Sequence, residues 1–147
     1  MNTALYRAAN TYANVDLETS VQGANPHRLI LMLFEAAILS VNKAQRYMEV
    51  ENIAMKGMTI SKAIQIIDEG LSASLDESQG GDLAKQLKDL YAYMSRRLLL
   101  ASMRNEPAGL VEVSKLLSEL KEAWAAIGQN GVNTYENLRS ATQRVAA

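Results

Sequence analysis

The sequence predicts an all-α fold, an antiparallel up-down four-helix bundle with a short N-terminal segment or helix and a polar C-terminal tail. Three observations carry this. Apolar residues recur at spacings of three and four along four stretches. Clear breaks separate those stretches, at Asn25-Pro26, Gln79-Gly80-Gly81-Asp82 and Asn105-Glu106-Pro107. Only two prolines occur in 147 residues, and the 48% hydrophobic content is mostly Leu, Ile, Ala and Met, with 5% aromatic. Those four residue types suit helices. No strand-like alternation and no repeat competes with this pattern.

Residues 1–24 are polar to mixed and lack a sustained stripe. A short helix is expected near residues 3–13. The bundle spans residues 25–128. Its first helix is expected over about 26–48: Asn25 accepts from free backbone N–H groups, and Pro26 is pre-shaped for the first helical position. Leu29, Leu33, Ala36, Ala37, Ser40, Ala44 and Tyr47 line one face of it. Ile30, Leu31, Met32, Phe34, Ile38 and Val41 cover most of the rest of its first half. A helix apolar nearly all round is buried, or is covered by something outside the chain.

The second helix, about 52–75, carries Ile53, Ile60, Ile64, Ile67 and Leu71. Gly57 within it marks a bend or a close helix approach. Gly80-Gly81 supplies the positive φ that helix ends and tight turns need, and Asp82 caps the third helix. That helix, about 82–104, has Leu83, Leu87, Leu90, Met94, Leu98 and Ala101 as its stripe. The fourth, about 107–127, has the cleanest seam: Leu110, Val113, Leu117, Leu120, Trp124 and Ile127. Such a seam packs near 20° in an antiparallel bundle. Gly128 closes it as an αL cap. Residues 129–147 read as a flexible polar tail, helical near 135–145 if anywhere.

Composition excludes several function classes. The net charge of -1 gives no field for nucleic acid or an anionic membrane. The one basic cluster, Arg96, Arg97 and Arg104, is a solvated face. Without cysteine there is no disulfide, thiolate nucleophile or zinc-thiolate site. The longest apolar run, 29–34, stops at Glu35 and cannot span a bilayer. Residues 1–10 contain no signal-peptide core. A soluble, cytoplasmic protein with no membrane insertion is expected.

Four-helix bundles also house di-iron sites, which need Glu-x-x-His pairs on two helices. This chain has one histidine, His27, and no glutamate precedes it at that spacing. Asp68, Glu69, Asp76 and Glu77 are a solvated group near a helix end, and His27 is read as a surface residue supporting a cap. No phosphate-binding glycine loop occurs. No catalytic residue, metal ligand or cofactor is assigned, and no enzyme activity is expected.

What remains is a surplus of apolar side chains beyond the core stripes. Leu31, Met32, Met55, Met58, Tyr93, Leu100 and Met103 form a second, partial stripe. Methionine adapts to varied partners, so the set fits grooves for a polypeptide or a homodimer face in the free protein.

The sequence resembles the flagellin-specific export chaperones, the FliS family, over about residues 5–127. The matching pieces occur in order: Tyr12 with Val15, then Asn25-Pro26-His27-Arg28-Leu29-Ile30-Leu31-Met32-Leu33-Phe34. Lys62-Ala63 with Ile66-Ile67 comes next, and Leu75-Asp76 before Gly80-Gly81-Asp82-Leu83-Ala84. The last pieces are Leu90-Tyr91-Ala92-Tyr93-Met94 with Arg96-Arg97-Leu98, and Leu120-Lys121-Glu122-Ala123-Trp124. Asn25 stands where the family usually has Ser, and Ala92 replaces a frequent acidic residue. The resemblance implies an antiparallel helical bundle that binds the disordered C-terminal segment of flagellin in the cytoplasm, prevents premature polymerisation and assists delivery to a component of the flagellar type III export gate. It also implies that the N-terminal segment contributes to client binding. Tyr6, Tyr12 and Val15 are the anchors expected to cover a groove and to move when flagellin binds. Tyr91 and Trp124 are assigned to packing. A generic helical adaptor with another polypeptide partner is the alternative.

Overall fold

The computed structural model describes residues 25–128. The segment 1–24 and the tail 129–147 lie outside the described residues. Within them are four helices and no strand: α1 (Pro26–Glu49), α2 (Ile53–Gln65), α3 (Glu77–Arg104) and α4 (Pro107–Ile127). A π-helical segment, Ile66–Ser72, continues α2.

α1 begins as its sequence dictates. The Asn25 side chain accepts from the Arg28 N–H at 2.8 Å, and Pro26 occupies the first turn. A tight turn at Val50–Asn52 reverses the chain, with Glu51 at φ 58°. Asn52 then caps α2 by accepting from Met55 N–H at 3.2 Å. The left-handed Asn105 ends α3, and Pro107 opens α4. α1 and α3 each pack against both α2 and α4. The helices therefore succeed one another around a ring, antiparallel at each step, with the core along its axis. Leu29, Leu33 and Phe34 of α1 meet Ile60, Ile66 and Ile67, Leu87, Met94 and Leu98, and Leu110, Val113 and Leu117 there. Burying one such side chain contributes about 1.5–3 kcal/mol.

Four local features differ from the expectation. α2 does not run as one α-helix to residue 75. It changes to π winding at Ile66, and Ile66, Ile67, Gly70 and Leu71 are buried there. Gly70 is the close approach there: a Cβ on it would stand 3.1 Å from Leu33 Cδ2. Gly57 marks neither bend nor contact, since it lies in regular helix with nothing within 4 Å of its Cβ position. α3 starts five residues before Asp82. The cap is Asp76, whose carboxylate accepts from the N–H groups of Ser78 (3.0 Å) and Gln79 (3.3 Å). Those hydrogen bonds, led by the one from the Ser78 side chain, hold its carboxyl below the ordinary range. One turn later Gly81, at φ 54° and ψ −129°, kinks the backbone before the long part of the helix. Gly128 does take a positive φ of 65°, but its ψ of −163° lies outside the αL region.

Candidate functional site

Two cross-links set the α2–α3 surface. Lys56 Nζ donates to the Ser102 carbonyl (3.0 Å) and to Asn105 Oδ1 (2.6 Å), tying the start of α2 to the end of α3. Ser95 Oγ donates to Asp68 Oδ1 at 2.6 Å and ties the π segment to the middle of α3. At 100° per residue, Met58 falls on the face of α2 away from the core, and Leu99 and Met103 on the outward side of Ser102 in α3. Met58, Leu99 and Met103 are 65%, 52% and 72% exposed. Met55 is half-buried. The result is a set of exposed apolar side chains on the outward faces of α2 and α3, with the exposed Arg96 on the same face as Leu99 and Met103.

Of the residues singled out from sequence, Met58 and Met103 stand exposed on the outward faces of α2 and α3, and Met55 is half-buried on α2. Leu31 is half-buried on another side, the side of α1 that carries His27 and Asn42, both bonded to α4. Tyr93 turns toward α4. Met32 is 2% exposed and packs in the core. Tyr6, Tyr12 and Val15 lie outside the described residues. Sequence reasoning passed over Leu99. Its signal was present, because Ala92, Arg96, Leu99 and Met103 step by four, three and four along the face opposite the core stripe.

Polar contacts between α3 and α4 form a chain. The Tyr93 hydroxyl donates to Glu112 Oε2 at 2.7 Å, and Arg97 Nε donates to Glu112 Oε1 at 2.9 Å. Arg97 also pairs with Glu106 at 3.5 Å. The Tyr93 hydroxyl, then Arg97, hold the Glu112 carboxyl below its ordinary value, and Glu112 in turn raises Tyr93. Tyr91 is buried, and burial pushes its hydroxyl well up.

His27 is not a free surface residue. Its ring stacks on Trp124 with centroids 5.2 Å apart, and Nε2 donates to the Trp124 carbonyl at 2.7 Å. The Trp124 indole N–H donates back to the His27 carbonyl at 2.8 Å. This reciprocal pair clasps the first turn of α1 to the last turn of α4. Among the described residues no group of three or more His, Cys, Asp and Glu stands close enough to hold a metal ion. No helix of the described residues is long and apolar enough to cross a membrane. The arrangement offers an apolar recognition surface.

Comparison with known proteins places the chain in a family. The family described as "Flagellar protein FliS" matches residues 8–131. The flagellar secretion chaperone FliS of Salmonella typhimurium is 47% identical over 116 residues, covering 79% of this chain and 86% of that protein. The flagellar secretion chaperone FliSB of Pseudomonas aeruginosa is 44% identical over 121 residues, covering 82% and 95%. The Escherichia coli flagellar secretion chaperone FliS is 38% identical over 122 residues, covering 82% and 90%.

Proposed function

The chain belongs to the FliS family of flagellar secretion chaperones, a family of chaperones and not of enzymes, and from that premise we propose that it binds the disordered C-terminal segment of flagellin in the cytoplasm. In this reading it keeps the segment from polymerising early and helps deliver it to the flagellar type III export apparatus. The observation that supports the reading is the exposure of Met58, Leu99 and Met103 on the outward faces of α2 and α3. A polymerising terminus is amphipathic, so a chaperone has to cover its apolar face without locking it in place. Exposed methionines do this with flexible, polarisable contacts. The client folds as it binds and its ordering entropy offsets part of the contact energy, which keeps the complex releasable.

The test is co-purification with full-length flagellin and with flagellin lacking its C-terminal segment. Recovery of the full-length form alone is expected, and equal recovery of both overturns the mechanism. The same reading gives Tyr6, Tyr12 and Val15 a share of the client contact. Deleting residues 1–15 then changes flagellin affinity, and an unchanged affinity removes that share.

A further inference from the structure

We infer that the cavity at the α1–α2 and α3–α4 turn end of the bundle receives the free C-terminal carboxylate of a bound polypeptide. The inference rests on the client reading above and adds a site for the end of the client chain. The cavity measures about 570 Å³, with Tyr47, Met48, Ile53 and Pro107 among its walls and Lys56 lining it. That volume is in the range of ligand pockets, roughly 300–1,000 Å³.

Lys56 is the feature that asks for a ligand. It is only 6% exposed. A charged amine out of water needs acceptors and a counter-charge. Its two acceptors, the Ser102 carbonyl and Asn105 Oδ1, are both neutral. A lysine head has three N–H bonds, so one donor direction remains beyond these two. Lys56 makes no ion pair among the described residues, although Glu51 lines the same cavity. The C-terminus of α3 supplies about half a negative charge through its dipole. Against this, Lys56 lies in the first turn of its own helix, where the α2 dipole disfavours a cation. The compensation is partial, and a carboxylate completes it.

The walls select which carboxylate. The cavity is lined by residues of both inter-helix turns at the end of the bundle, so it suits the end of a chain better than its middle. A C-terminal residue brings a carboxylate and an apolar side chain on one Cα, matching the amine and the apolar walls together. An internal Asp or Glu brings the charge and leaves the walls bare.

The test uses the full-length chain and fluorescence anisotropy with a synthetic peptide of the flagellin C-terminal segment, as the free acid and as the C-terminal amide. The amide is expected to bind about tenfold more weakly or worse, a charge-assisted contact of about 1.4 kcal/mol. In Lys56→Gln the gap between the two forms closes. Should that variant fail to fold, because Lys56 also ties α2 to α3, the comparison on the unaltered chain decides alone. Equal affinity of acid and amide overturns the carboxylate site and leaves the client reading standing. Should amidation have no effect while Gln in place of the peptide's internal acidic residues abolishes binding, the carboxylate comes from a side chain and the C-terminal assignment falls. Binding of neither form overturns the client reading and the inference with it.

Discussion

Two glycines, Gly109 on α4 and Gly57 on α2, have opposite duties, and substitution separates them. A Cβ on Gly109 would stand 2.8 Å from Ala101 Cβ and 2.9 Å from Arg97 Nη1. Gly109→Ala is therefore expected to cost about 1–3 kcal/mol through overpacking of α3 on α4. Gly57→Ala meets nothing within 4 Å inside a regular helix. It is expected to gain about 0.5–1 kcal/mol from helix propensity. Urea unfolding midpoints of the two variants check both signs. Glu112 gives a pH-dependent counterpart. Its folded carboxyl lies below the ordinary 4.5, with the Tyr93 hydroxyl as the largest cause. Stability from a lowered carboxyl is full above the unfolded value and is lost as pH falls through the folded one. In Tyr93→Phe the folded value moves back toward 4.5. The difference in urea midpoint between the unaltered chain and the variant is expected to be open at neutral pH and to narrow below about pH 4.5. The propensity cost of Gly57 was legible in the sequence, but the contacts of Gly109 and Glu112 were not, because they join residues on different helices. His27 and Trp124 are 97 positions apart, and local pattern reading saw a surface histidine where the fold builds a clasp.

At the scale of elements, the cores of the four helices were legible because each carries a stripe of period near 3.6 bounded by Asn, Gly or Pro. The starts of α1 and α4 were readable from Asn25-Pro26 and Pro107. The start of α3 was not, because two capping aspartates lie six residues apart and Gly80-Gly81 between them reads as a stop. The chain uses both signals: Asp76 caps one turn, and Gly81 re-aims the backbone for the rest. A residue with Cβ is strained at φ 54° and ψ −129°, so Gly81→Ala is expected to cost about 1–3 kcal/mol although open space surrounds the site. A urea midpoint unchanged from the unaltered chain would show that the kink has no energetic role. The π winding at Ile66–Ser72 left no mark in the sequence pattern, since Ile66, Ile67, Gly70 and Leu71 also sit inward at helical spacing. What distinguishes it is the fit of Gly70 against Leu33 on α1, which is a tertiary fact.

At the scale of the whole molecule, the ring order decides which apolar surplus stays outside. Each helix has two neighbours and one outward face, so a second stripe survives only where it lies opposite the core stripe. Met32 fails that condition and is buried, whereas Met103 meets it. The sequence could offer both as surplus methionines without ranking them, because the ranking depends on which helices flank α1 and α3. Exposed side chains on an otherwise complete bundle add little to its stability, and their replacement shifts it by about 0.5 kcal/mol or less. Their cost is solvent exposure of apolar area, which a covering partner removes. The double variant Met58→Glu with Met103→Glu puts one charge on the outward face of α2 and one on that of α3 while leaving the core and the Lys56 and Ser95 cross-links untouched. Helicity by circular dichroism and the urea midpoint are expected to stay near those of the unaltered chain. Flagellin affinity is expected to fall at least about tenfold, the equivalent of about 1.4 kcal/mol, because a client covering these faces would have to bury unpaired carboxylates. Unaltered affinity with the fold intact would move the client surface off the α2–α3 face.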